Sequence, residues 1–119
     1  MAKKGKKFTV SMISSSESAK EYVERLLFEY DSLSKELFEE IISKLNIKLV
    51  RWLAIHHPDS RIRKLLFRKS NVKIGKDSVI NINLIISDGY KPLVTIGERV
   101  AISPNVTIIA QSNPNNSKL

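Results

Sequence analysis

The chain has 119 residues, enough for one domain or for a small domain with an appendage. It contains no cysteine, which excludes disulfides, thiolate catalysis and cysteine-based zinc sites, and its two adjacent histidines predict no metal site. No apolar run approaches the about 18 residues that cross a bilayer. No apolar segment with a cleavage site follows the basic N-terminus, so the sequence predicts a cytoplasmic protein.

The net charge of +8 is unevenly placed along the chain. Residues 1–20 carry a net +4, residues 21–46 a net −4, residues 47–70 a net +6 and residues 71–119 a net +2. A basic patch can serve nucleic acid, an acidic membrane surface or a phosphorylated cofactor. Because no interleaved aromatic residues or known nucleic-acid motif accompany the basic residues, the sequence predicts no nucleic-acid partner.

Residues 1–16 read as a basic flexible tail, and a helical segment is predicted over residues 17–70. Its first helix runs from Glu17 to Tyr30, with Ser16 or Ser18 as the cap. A second helix is predicted to begin after Ser32 or Ser34 and to run to about Leu45, since its apolar residues repeat at helical spacing.

Two more helices are predicted in the basic section. The first begins near Ile47 and ends before Pro58, which cannot continue a helix. The second runs from Arg61 to Lys69 after a cap at Asp59 or Ser60, and its predicted orientation places Ile62, Leu65 and Leu66 inward and Arg61, Arg63, Lys64 and Arg68 in solvent. His56 and His57 lie at the turn without an acidic residue at useful spacing, which favours a structural role over catalysis.

From Val72 onward the chain repeats every six residues. Units of six, here called hexads, open on isoleucine at the following positions: Ile74, Ile80, Ile86, Ile96, Ile102 and Ile108. The step from Ile86 to Ile96 is ten residues, which predicts a loop, Ser87–Pro92, expelled at one corner. A period of six suits a parallel β-helix, in which three short strands make one coil and the isoleucines stack inward. The predicted fold class is therefore α+β.

Three stretches of the repeat region resemble the hexapeptide-repeat O-acetyltransferases, among them the galactoside and maltose acetyltransferases. They are Asn81–Tyr90, Val94–Gly97 and the Ser-Pro-Asn-Val-Thr run of residues 103–107. The resemblance implies an incomplete left-handed β-helix of about two coils over residues 71–119. The left hand comes from the family alone, since general crossover rules favour the right.

The resemblance also implies a reaction. Acetyl-CoA would be the co-substrate, a carbohydrate hydroxyl the acceptor, and a homotrimer the working form, with active sites in clefts between subunits. No metal is implied. Asn83 matches the asparagine that faces the acceptor, and Asp88 and Tyr90 in the expelled loop are the other implied substrate-binding residues.

Two departures from the family pattern affect the predicted activity. Asn113, before Pro114, stands where the family places its catalytic histidine, and an asparagine amide cannot take a proton near neutral pH. Relatives also continue through further coils that carry most acetyl-CoA contacts. The prediction is therefore an acyltransferase-like protein that is inactive or incomplete in this truncated form.

Two other functions remain open from the residues. One is a non-catalytic oligomerisation or scaffold module that presents open strand edges to a partner. The other is a basic surface-binding module that uses residues 1–7 and 61–69. Binding of acetyl-CoA would distinguish the acyltransferase hypothesis from both of these alternatives.

Overall fold

The computed structural model describes residues 18–111 and has an α+β fold. The chain divides into two compact units, Met1–Asn46 and Ile47–Leu119. The first unit contains helices, and the second contains two helices followed by short parallel strands. In the part of the chain that the structure describes, no helix is both long enough and apolar enough to cross a membrane.

Helices α1 (Ala19–Phe28) and α2 (Lys35–Ser43) form the described part of the first unit, with a 3₁₀ turn at Tyr30–Ser32 between them. The predicted capping box is present: Glu21 N–H donates to Ser18 Oγ at 3.3 Å, and Ser18 N–H donates to the Glu21 carboxylate at 2.7 Å. Ser34 caps α2 by accepting from the Leu37 N–H at 3.1 Å. Both helices were thus predictable from their caps and their apolar spacing.

The second unit begins with α3 (Ile47–His56) and α4 (Ser60–Lys69), which pack against each other. Asp59 is the N-cap of α4, and its carboxylate accepts from the N–H groups of Arg61 and Ile62. The prediction for the faces of α4 is partly wrong, because Leu65 is 36% exposed and Arg63 is buried.

Six short strands follow, and each of the first three pairs with the strand three places later. The first strand set is β1 (Lys73–Ile74), β2 (Val79–Ile80) and β3 (Ile85–Ser87), and the second is β4 (Thr95–Ile96), β5 (Ala101–Ile102) and β6 (Thr107–Ile109). All three pairs, β1–β4, β2–β5 and β3–β6, are parallel. Ile74 lies opposite Ile96, Ile80 opposite Ile102 and Ile86 opposite Ile108, which confirms the isoleucine register.

Burial differs between the two strand sets. Ile80 in β2 and Leu84, directly before β3, are fully buried. Their register partners Ile102 and Val106, 22 residues later, are only half-buried. The core therefore includes β2, β3 and β4, where Ile80, Ile86 and Ile96 are buried, whereas β5 and β6 are only half-buried at Ile102 and Ile108.

Left-handed backbone recurs every sixth residue. Positive φ angles occur at residues 71, 77, 83 and 89 and again at 99 and 105, and also at Tyr90 beside Gly89. Five of the six positions in the series are Asn, Asp or Gly, the residues that adopt this conformation at low cost, and the sixth is Arg99. Gly75 is required for a different reason, since a Cβ there would lie 2.6 Å from the Gly97 carbonyl carbon. Gly97 has no such close contact.

Three arginines cover the helix-facing edge of the first strand set. The N–H groups of Val79 and Asn81 donate towards the second strand set. Backbone groups of successive residues in a strand point to opposite edges, so the carbonyl of Ile80, which lies between them, points away from the second strand set. That carbonyl accepts from Arg63 Nε and Nη2 at 3.1 and 2.8 Å. The equivalent carbonyls of Ile86 and Ile74 accept from Arg51 and Arg68. Each of the three strands in the first set thus has one outward carbonyl that accepts hydrogen bonds from a guanidinium.

Ile80→Ala should lower the free energy of unfolding by about 2–5 kcal/mol, because a fully buried side chain leaves a cavity when truncated. Ile102→Ala should cost less, since that side chain is half-buried. Ile109→Ala, at a side chain 68% exposed, is the control and should stay within about 0.5 kcal/mol. Chemical denaturation measures all three, and a cost below about 0.5 kcal/mol for Ile80→Ala would contradict the core position.

The pKa of Asp59 is lowered to about 2, chiefly by the hydrogen bond from the Arg61 side chain. Since the unfolded pKa is about 3.9, the stabilisation is complete above that value and is lost as the pH falls towards 2. Asp59→Ala should cost about 0.5–2 kcal/mol at neutral pH, the usual cost of a lost cap.

Asp59→Asn is the matched control, because asparagine also caps helices but does not titrate. Its unfolding free energy should fall less than that of the parent chain between pH 4 and pH 2. Equal losses in the two proteins, measured by denaturation at each pH, would show that Asp59 does not carry this pH dependence.

Candidate functional site

The loop between β3 and β4 is held by a buried ion pair. The Arg51 guanidinium on α3 meets the Asp88 carboxylate side by side, with Nη1–Oδ1 and Nη2–Oδ2 distances of 3.0 and 3.1 Å. Both residues are only 3% exposed. Because both charges are buried, each depends on the other for compensation.

Arg51 also joins the loop to the end of α4. Its Nε donates to Ser70 Oγ at 2.9 Å, Nη2 donates to the Ser70 carbonyl at 2.7 Å, and Nη1 donates to the Ile86 carbonyl at 3.0 Å. With the two bonds to Asp88, five N–H donors of one guanidinium are used. A single side chain therefore fixes α3, the C-terminal end of α4 and the start of the loop together.

Tyr90 lies on the same network. Its N–H donates to Asp88 Oδ1 at 2.9 Å, and its carbonyl accepts from Asn71 Nδ2 at 2.7 Å. The Arg51 guanidinium carbon is 5.2 Å from the centroid of the Tyr90 ring, a cation–π distance. The loop thus has a set backbone position, although it is expelled from the six-residue repeat.

A groove of about 240 Å³ opens beside this loop. Its lining residues are Ser87, Asp88, Gly89, Lys91, Leu93, Ala110 and Gln111. The lining residues come from the end of β3, from the loop between β3 and β4, and from the two residues after β6. Of the predicted substrate-binding residues, Asp88 lines the groove, whereas Asn83 and Tyr90 are not among its lining residues.

Asn83 lies at a corner of the first strand set with a φ of 67°. Its Nδ2 donates to Asn105 Oδ1 at 2.9 Å, and its N–H donates to the Ile55 carbonyl of α3 at 3.1 Å. Asn105 occupies the matching corner of the second strand set with a φ of 63°. Asn113, the position of the family histidine, lies outside the described residues, two places beyond Gln111.

The two histidines have structural contacts. His57 is fully buried, its Nδ1 accepts from the Asp59 N–H at 3.0 Å, and its carbonyl accepts from Arg63 Nη1 at 2.7 Å. His56 is exposed and stacks on Trp52 with ring centroids 4.5 Å apart. Within residues 18–111, no three acidic or histidine side chains are placed to hold a metal ion.

Sequence reasoning missed Arg51, the residue that organises the loop. A signal was available, because Arg51 shares the helical spacing of Ile47, Val50 and Ala54 on α3. A charged residue on an apolar stripe indicates a buried ion pair when an acidic residue lies elsewhere in the core. Lys91, the other charged residue among the described lining residues, carries no such sequence signal.

Arg51→Met and Asp88→Asn should each lower the free energy of unfolding by about 3–5 kcal/mol, because each leaves a buried group without its partner. The double variant should cost less than the sum of the two by about 0.5–3 kcal/mol. Arg99→Met, in the exposed pair with Glu98, is the control and should change stability by about 0–1 kcal/mol. Additive costs in a denaturation cycle would show that Arg51 and Asp88 are not coupled.

Comparison with known proteins finds one partial similarity to report. A stretch of 45 residues is 47% identical to the galactoside O-acetyltransferase of Escherichia coli strain K12. The stretch is 38% of this chain but only 21% of that protein, so the chain spans about a fifth of its relative. No family model matches the chain, and no solved structure matches it. The similarity supports a relationship to the acetyltransferases over a partial stretch.

Proposed function

We propose that the chain is related in function to the hexapeptide-repeat O-acetyltransferases, which transfer an acetyl group from acetyl-CoA to a hydroxyl of a carbohydrate. The observation that carries the proposal is the 47% identity over 45 residues with an enzyme named as a galactoside O-acetyltransferase. The alternatives of a scaffold or a basic surface-binding module have no comparable observation in their favour.

The strand pairing supports a parallel β-helix as the fold of this proposed enzyme. Each strand pairs in parallel with the strand three places later, as expected when three strands complete one coil. Isoleucines lie opposite isoleucines in all three pairs, and left-handed backbone recurs at six-residue intervals on each side of the expelled loop. We propose the left hand and a homotrimeric assembly from the family resemblance alone.

The proposed chemistry needs a hydroxyl that is positioned and then deprotonated. The acceptor hydroxyl must lose its proton as its oxygen attacks the acetyl carbonyl and the C–S bond to coenzyme A breaks. Acetyl-CoA would supply the acetyl group. In this chain Asn83 would orient the acceptor, since its amide can both donate and accept hydrogen bonds. Asp88 and Tyr90 would contribute on the acceptor side indirectly, because their contacts hold the loop that lies beside the groove.

Position 113 limits the rate in this proposal. Asn113 can hydrogen-bond to the acceptor hydroxyl but cannot take its proton near neutral pH. A positioned general base typically contributes about 10²–10⁴-fold to a rate. The proposed enzyme therefore transfers acetyl groups slowly, and position 113 is where a base would act.

Asn113→His should raise the acetyl-transfer rate by up to about 10²–10⁴-fold in any form of the protein that binds acetyl-CoA, because it supplies the missing base. The assay follows release of the free coenzyme A thiol with a galactoside as acceptor, and acetyl-CoA binding is measured separately by calorimetry. Asn116→His, three places further along the same segment, is the matched control and should not raise the rate.

Three outcomes distinguish the parts of this proposal. Binding with slow turnover or none in the parent chain, and faster turnover in Asn113→His, supports both the function and the role of position 113. Equal turnover in the parent chain and in Asn113→His would contradict the role of position 113 alone. Absence of acetyl-CoA binding in the chain and in a form extended with further hexads would contradict the proposed function.

A further inference from the structure

We infer that the groove beside the loop between β3 and β4 takes an acceptor that carries a negative charge, a sugar with a carboxylate, with the Lys91 ammonium as its partner. The inference rests on the proposed function, because it names the class of acceptor for that reaction. It concerns the groove lined by Ser87, Asp88, Lys91 and Gln111. Neither the similarity to a galactoside enzyme nor the family resemblance requires a charged acceptor.

The charge balance of the groove carries the inference. Among the described residues that line it, two are charged, Asp88 and Lys91. The negative charge of Asp88 is already neutralised by the bidentate contact with Arg51. Lys91 is exposed, and its ammonium makes no ion pair with any residue of the described range 18–111. Within residues 18–111, the groove therefore offers one uncompensated positive charge, that of Lys91, and no uncompensated negative charge.

Two hydrogen bonds hold the backbone of Lys91 in place. The Lys91 N–H donates to the Asp88 carbonyl at 3.2 Å, and the Leu93 N–H donates to the Lys91 carbonyl at 2.7 Å. Asp88 is in turn fixed by Arg51. A cation on a loop that is already ordered loses less conformational entropy when it binds an anion than a cation on a free loop.

The size and the remaining lining residues suit part of a sugar. A groove of about 240 Å³ is smaller than the about 300–1,000 Å³ pockets that enclose drug-sized ligands, so it holds one small ring or one end of a longer ligand. Leu93 and Ala110 supply apolar surface for a ring face. The Ser87 hydroxyl can donate to and accept from a ring hydroxyl. This set fits a polar ring with one anionic substituent.

The test is a titration of the 119-residue chain followed by amide chemical shifts, with galacturonate, galactose and inorganic phosphate as probes. Galacturonate should shift the amides of Ser87, Lys91 and Ala110, and its Kd should rise with ionic strength because an exposed ion pair is screened. Lys91→Gln should weaken the binding of galacturonate about two- to fivefold, as expected for an exposed ion pair, and should leave the binding of galactose unchanged. Lys76→Gln, at an exposed lysine outside the groove, is the matched control and should change neither sugar.

Each other result overturns the inference in a recognisable way. Equal affinity for galactose and galacturonate, without any effect of Lys91→Gln, would leave the acetyltransferase proposal standing and remove the charged acceptor. Phosphate that shifts the same amides with the same affinity as galacturonate would show a general anion site instead of a sugar site. No shift with either sugar would overturn the groove as the acceptor site, and the separate acetyl-CoA measurement would still decide the proposed function.

Discussion

The strand region depends on hydrogen bonds from three arginines to three equivalent carbonyls. Without a partner, the outer edge of the first strand set would expose a row of unpaired backbone N–H and C=O groups. Arg68, Arg63 and Arg51 donate to the carbonyls of Ile74, Ile80 and Ile86, one on each face. A guanidinium suits this position because it carries five donors in a fixed plane and keeps its charge when buried. Burial lowers the pKa of Arg63, but no arginine in a protein loses its proton at neutral pH.

The same arrangement explains why α3 and α4 belong to the unit that contains the strands. The sequence placed a boundary at residue 70, where helical spacing gives way to hexads, whereas the compact unit begins at Ile47. Backbone bonds join the two parts as well, from Val72 N–H to the Phe67 carbonyl and from Asn83 N–H to the Ile55 carbonyl. Helices α3 and α4 therefore cover the edge of the first strand set that does not pair with the second set.

The features that follow a period could be predicted from the sequence, and those that depend on a partner distant in sequence could not. Helical spacing and cap residues predicted all four described helices, and the spacing of isoleucines predicted which residues pair across strands. Arg63 was assigned to solvent because periodicity treats every charge as exposed. Its burial depends on the Ile80 carbonyl 17 residues away, which no local pattern encodes. Asp88 was predicted as a substrate residue from resemblance, and its pairing with Arg51, 37 residues earlier, was equally hidden.

Arg51 connects this architecture to the candidate site. The residue that closes the β3 face through the Ile86 carbonyl also neutralises Asp88 and lies over the Tyr90 ring. The loop expelled from the repeat is thus set from α3, outside the repeat itself. Because Asp88 is neutralised there, Lys91 is the remaining charge among the described residues that line the groove. It follows that α3, although remote in sequence from the hexads, both fixes the loop and removes the negative charge that Asp88 would otherwise present to the groove.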